Sequence, residues 1–239
     1  MGRIANNGNK KILRLSCGIL TILFFSVGII CFFAIKKPVE RKTFKPLKKI
    51  VIGIDAGHGG IDKGAVSDSG TLESEINLLI ASNLSEIFEK AGYSAVLTRK
   101  DGEGLYGDTS SGFKLRDLKE RLKIVNESNC NLFISIHLNK YSSKLRRGAQ
   151  AFYKGNDESS KKLAESIQTE LNLLEESKRM YDALTGDYYL LNSLKIPSVI
   201  VECGFLSNDE EEALLNTEAY RKKLAKTIYN GVVRYLISF

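Results

Sequence analysis

Between residues 50 and 239 the chain predicts an α/β domain: one mostly parallel, mixed sheet of about six strands, with helices on both faces. Two observations carry that prediction. Short apolar runs of strand character alternate along the chain with longer segments whose apolar residues recur at helical spacing. The first apolar run, Ile50 to Ile54, empties into the glycine-rich turn of GIDAGHGG, residues 53–60. A buried strand emptying in this way marks the edge of an open α/β sheet where ligands are held.

Taken in order, the first strand is expected over Lys49 to Asp55. Leu72, Ile76, Leu79, Ile80, Leu84, Ile87 and Phe88 then repeat at helical spacing until Gly92 ends the run. Tyr93 to Thr98 reads as a strand, and Asp101 to Gly112, rich in glycine, serine and aspartate, as a surface loop. A second helix from Leu115 to Ser128 carries Leu118, Leu122 and Val125 on one face and leads into the strand NLFISIHLN. GAQAFY, residues 148–153, is a further strand, and Glu158 to Leu174 a helix with Leu163, Ile167 and Leu171 four residues apart. Residues 175–187 are polar and irregular, and a short segment, Tyr188 to Leu191, follows. PSVIVECGF then reads as a fully buried strand. From Asp209 a terminal helical region repeats Tyr220, Leu224, Ile228, Val232 and Tyr235 on one face.

The formal charge of +7 points by itself to a polyanionic partner, and its distribution removes that reading. Residues 1–49 hold 11 of the 35 Lys and Arg and a single acid, Glu40, leaving 24 bases against 27 acids, a net of −3, for the domain. The globular part therefore offers no electrostatic case for nucleic acid. Residues 15–35 run for 21 positions without a charge, enough helix at about 1.5 Å per residue to cross roughly 30 Å of hydrocarbon. The run is longer than a cleaved signal peptide's apolar core and ends Phe32-Phe33-Ala34-Ile35 without a small-residue cleavage site, which favours an uncleaved signal anchor. Bases flank it on both sides, so charge does not orient it. Residues 36–49, basic and carrying two of the three prolines, suit an extended linker at the membrane surface. Cys17 and Cys31 lie within the span. Cys130 and Cys203 sit in apolar strand-like contexts and read as small core residues, with a bond between them the alternative outside a cell.

The chain has two histidines, and both fall at strand ends: His58 in the glycine turn and His137 at the end of NLFISIHLN. Glu202 closes the apolar VIVE, where a carboxylate needs a partner or a function. Glu73 opens the helix after the first strand; the helix dipole alone would account for an acid there, and Glu75 could serve equally. In a parallel sheet the C-terminal strand ends share one edge, so these residues can converge. Two neutral imidazoles and one carboxylate are a recurrent catalytic zinc set with a position left open. A further carboxylate beside it can take a proton from water and pass it to a leaving amine.

Four stretches carry a resemblance: IDAGHGGIDKGA, LESEINL, FISIHLN and VECGFLSNDEE. In this order and spacing they are similar to the zinc-dependent N-acetylmuramoyl-L-alanine amidases of the Amidase_3 family, over residues 50–237. The family commonly has an E-K-D-x-N run where this chain has LESEINL, and Ile76-Asn77 place Glu73, rather than Glu75, at the ligand position. The resemblance implies that His58, Glu73 and His137 bind zinc, that Glu202 is the catalytic carboxylate, and that peptidoglycan is the substrate. Within the family the match is nearest to the spore-cortex amidases, through the anchor-plus-domain layout, the SIHLN form of the second histidine motif and the GAQAFY strand. For those enzymes the stripped muramic acid goes on to a separate deacetylase that closes muramic δ-lactam. A GerS-type lipoprotein partner assists metal binding in clostridial relatives.

The resemblance then makes residues 50–239 the catalytic domain, facing outward from the membrane, and for a spore-cortex enzyme into the forespore intermembrane space. Residues 1–14 are a cytoplasmic basic segment, 15–35 the transmembrane signal anchor and 36–49 the linker. The rival readings are a catalytically idle wall-binding module of the same fold and a vegetative autolysin. A dinucleotide site fails because Asp62 stands where the third glycine of G-x-G-x-x-G belongs. A serine hydrolase fails because no G-x-S-x-G occurs.

Overall fold

The computed structural model describes residues 49–238. The basic segment 1–14, the anchor expected at 15–35 and all but the last residue of the linker lie outside the described residues. Among those described, no helix is long and apolar enough to cross a membrane.

Six strands form one sheet: β1 (Val51–Ala56), β2 (Ser94–Leu97), β3 (Leu132–Asn139), β4 (Gln150–Tyr153), β5 (Leu184–Thr185) and β6 (Ser198–Phe205). Their order is β2-β1-β3-β6-β4-β5. β2, β1, β3 and β6 run parallel, β4 is antiparallel to β6, and β5 is parallel to β4. Around the sheet lie α1 (Glu73–Lys90), α2 (Phe113–Glu127), α3 (Glu158–Leu171), α4 (Tyr189–Ser193), α5 (Asp209–Leu215) and α6 (Glu218–Leu236). The α/β class, the mixed sheet and the helices on both faces are as the sequence predicts.

Three local differences have physical causes. Residues 175–187, expected to be irregular, hold a single 3-10 turn, Glu175–Ser177, and the two-residue strand β5. That strand is an edge element with both residues exposed, so it has no apolar alternation to announce it. The segment after it begins the short helix α4, which buries Leu190 and Leu191. The terminal helical region is two helices, because Thr217 accepts a hydrogen bond from the Tyr220 amide and caps a fresh start.

Strand alternation divides the inner strands into two faces. Ile52, Ile54 and Ala56 of β1, Leu132, Ile134 and Ile136 of β3, and Val199, Val201 and Cys203 of β6 point one way. They pack with Ile76, Ile80, Leu84 and Phe88 of α1, Leu163 and Ile167 of α3, and Leu224, Ile228 and Val232 of α6 into the main core. The opposite face has a smaller apolar cluster, Val125, Cys130, Phe133, Leu190 and Leu194, supplied by α2, α4 and neighbouring strand residues. Cys203 and Cys130 belong to these two different clusters, and both are free and buried. On that second face the alternation also sets Asp55, Ser135, His137 and Glu202, with His137 beside Glu202 in the β3–β6 register.

Candidate metal centre

Past the end of β1 the chain makes a turn that His58 enters at φ 64°, a left-handed conformation uncommon for a residue with a Cβ. Two buried arginines hold the turn by its carbonyls. Arg121 donates to Ala56 O at 2.7 Å and His58 O at 2.6 Å, and Arg99 donates to Ala56 O at 2.8 Å and Gly57 O at 3.0 Å. Arg121 is itself fixed by Asp55 at 2.6 Å and by Asp117 one helical turn away. Asp55 also accepts from Thr98 and Ser135. Burial alone would raise the Asp55 carboxyl, but the Arg121 charge and these hydrogen bonds hold it at about 2.

Glu73 reaches the same place from the first turn of α1. No side chain caps this helix; instead Ala65 O accepts from the Glu73 amide at 2.9 Å and Lys63 O from the Ser74 amide at 3.1 Å. Loop carbonyls thus satisfy two of the orphan donors, and the Glu73 carboxylate turns inward. Its Oε2 accepts from Ala65 N at 2.7 Å. Its Oε1 lies 2.9 Å from His137 Nδ1 and 3.3 Å from His58 Nε2 and accepts from Leu138 N at 3.1 Å. Asn77, one turn along α1, donates to Gly57 O and to Glu73 Oε1. On its far side His58 meets Asp62 through Nδ1 at 2.9 Å, and Lys114 holds the other Asp62 oxygen at 3.1 Å.

Two glycines make the close approach feasible. A Cβ on Gly57 would lie 2.2–2.3 Å from the His137 ring, and one on Gly64 would meet Glu73 Oε2 at 2.5 Å and the His58 ring at 2.7 Å.

His58, Glu73 and His137 each present one donor atom, all within 4.8 Å of one another, and could hold a metal ion. Burial works against a charged His58 imidazole, yet the hydrogen bonds and charges of Glu73 and Asp62 outweigh it and raise the group to about 9. Glu73 is lowered: burial opposes this, and the two imidazoles prevail. Glu202 differs. Its Oε2 is buried without a hydrogen-bond partner, and burial pushes its carboxyl up, the facing His137 opposing and Glu73 adding to the rise. All four residues singled out in the sequence thus converge, three as a donor cluster and the fourth beside it. Sequence reasoning missed the support: Arg99, Arg121, Asp55, Asp62 and Asn77. Asp62 had a signal, its place four residues after His58, and so had Asp55, an acid inside an apolar strand.

The pattern of the family described as N-acetylmuramoyl-L-alanine amidase, Amidase_3, matches residues 52–234. The germination-specific N-acetylmuramoyl-L-alanine amidase of Bacillus subtilis is 38% identical over 194 residues, covering 80% of this chain and 81% of that one. The CwlD amidase of Clostridioides difficile, solved in complex with the GerS lipoprotein, superposes with a TM-score of 0.76 at 41% identity, over 80% of this chain and 100% of that one. AmiC2 of Nostoc punctiforme, also an N-acetylmuramoyl-L-alanine amidase, gives 0.70 at 28% identity, over 79% and 97%. These matches define a hydrolase of amide bonds. The chain belongs to the Amidase_3 family of N-acetylmuramoyl-L-alanine amidases, enzymes that cleave peptidoglycan between N-acetylmuramic acid and the L-alanine of its stem peptide.

Proposed function

We propose that the enzyme works with zinc held by His58, Glu73 and His137, and that Glu202 moves the proton. The donor set fits: two imidazole nitrogens and a carboxylate oxygen within 4.8 Å are the ligand types of a catalytic zinc site that keeps a place for water or substrate. When bound, zinc supplies a Lewis acid that polarises the scissile carbonyl. Asp62 holds the His58 ring through Nδ1, leaving Nε2 toward the centre. Glu202 accepts a proton from the attacking water at its carboxylate and returns it to the departing alanine nitrogen. The observation that carries this reading is the buried, unpartnered Glu202 Oε2 beside the imidazole of His137. An orphaned carboxylate oxygen facing the donor cluster is explained by a substrate-side partner.

The biological setting we propose is the spore cortex, where stripped muramic acid goes on to muramic δ-lactam. The germination-specific and CwlD relatives support it. The uncharged run at 15–35 anchors the protein, with the domain on the extracytoplasmic side of the membrane, where peptidoglycan lies. A GerS-type lipoprotein partner that assists zinc binding is part of the same proposal, supported by the complex formed by the CwlD relative. The test is muropeptide analysis of spores lacking this protein, together with peptide release by the purified chain with zinc, with and without such a partner. Loss of muramic δ-lactam is expected. Normal δ-lactam with retained amidase activity would instead make the protein a vegetative autolysin.

A further inference from the structure

The last sequence motif, VECGFLSNDEE, runs past Glu202 into α5, and the mechanism above uses none of its later acids. Glu212, the residue that follows it, is buried. One of its carboxylate oxygens, Oε1, accepts from three hydroxyls: Ser67 at 2.6 Å, Thr71 at 2.8 Å, and Ser69. All three lie in the short loop that leads directly into Glu73. The same loop closes on itself, with Ser67 Oγ accepting from Thr71 N at 2.8 Å and a bridge between Val66 and Leu72. Asn216, one turn further along, donates to Thr71 Oγ1 at 2.9 Å.

The other end of this connection is equally fixed. Glu211, next to Glu212, accepts from Phe205 N at 2.9 Å and from Gly148 N at 2.8 Å, tying α5 to the end of β6 and the start of the β4 segment. Asn208 caps α5 through the Glu211 amide. A buried carboxylate persists only when hydrogen-bonded, and hydroxyl donors to a charged acceptor are among the stronger neutral–ion contacts. Glu212 therefore joins the loop that delivers Glu73 to the helix anchored on the strand that carries Glu202.

We infer that Glu212 is a positioning residue: it sets Glu73, and through it the metal centre, at a fixed place relative to Glu202. The inference rests on the reading of Glu73 as a zinc ligand. The test measures zinc affinity of the full-length chain by competition with a chromophoric chelator, alongside the melting temperature of the metal-free protein. Glu212→Ala should raise the zinc dissociation constant about tenfold, the scale on which outer-shell partners act, and Glu212→Gln by less. Replacing Ser67, Ser69 and Thr71 together by alanine should reproduce the loss, and adding Glu212→Ala to that variant should deepen it little.

A Glu212→Ala protein that melts earlier yet binds zinc within about twofold of wild type would overturn the inference and leave Glu212 a stability residue. Should that variant not fold, Thr71→Val carries the test: weakened zinc binding is expected, and unchanged binding overturns the inference. Wild-type protein that binds no zinc would instead overturn the ligand reading beneath it.

Discussion

The two faces of the sheet share the same inner strands, yet one is an apolar core under α1, α3 and α6 and the other carries charge under α2 and α4. On the first face, identity hardly matters beyond size: isoleucine, leucine and valine fill the space. On the second, beside a smaller apolar cluster, the polar side chains are placed individually. Asp55 holds Arg121, Arg121 holds the His58 turn, His137 meets Glu73, and Glu202 stands with an oxygen unpaired. The contrast teaches that the second face is organised for placement, and that the first provides the rigidity it needs. Substitutions on the two faces should therefore separate stability from function.

The largest expected effect is that of Arg121→Ala. It leaves Asp55 and Asp117 buried without their partner and should lower folding stability by about 3–5 kcal/mol, read by denaturant unfolding, with activity lost as the His58 turn loosens. Gly57→Ala should act on the site more than on the fold. Its Cβ would enter the His137 ring, and zinc affinity should fall about tenfold to a hundredfold, measured by chelator competition.

Titration sharpens the same comparison. In the metal-free protein His58, raised to about 9, contributes stability that is complete below its unfolded value near 6.5 and is lost as pH rises through about 9. Protons leave the same site over that interval, so apparent zinc affinity should increase with pH until about 9. Asp55, lowered to about 2, contributes above its ordinary value of about 3.9 and loses it as pH falls through about 2. Denaturation of metal-free protein from about pH 6 to about pH 10 should show the alkaline decline, and saturating zinc should remove it. Smallest is Ile228→Val on the apolar face: about 0.5–1.5 kcal/mol of stability, with zinc affinity and activity per folded molecule unchanged.

Much of this was legible in the sequence. The apolar runs of β1, β3 and β6 and the helical repeats of α1, α3 and α6 reveal the core, because burial on that face demands unbroken periodicity. Polar residues at alternate positions of those same runs, Asp55, Ser135, His137 and Glu202, mark the other face. Arg121 was illegible for a specific reason: it lies three residues after Leu118 and four before Val125, on the apolar face of α2, and while Asp117 is one turn away, its other carboxylate partner, Asp55, is 66 residues away. Arg99 likewise looks like an ordinary surface base after a strand, and nothing local shows that it spends its donors on the carbonyls of Ala56 and Gly57. Strand β5 escaped because two exposed residues at a sheet edge carry no pattern.

The central claim is a division of labour: His58, Glu73 and His137 hold the metal, and Glu202 carries the proton without being a ligand. Glu202→Gln tests it most directly, with bound zinc and stem-peptide release measured on the same preparation of the full chain. The account predicts about one zinc per chain, bound as in wild type, and peptide release reduced about 10²- to 10⁴-fold. Zinc retained with undiminished release, or zinc lost with the glutamine in place, would contradict it.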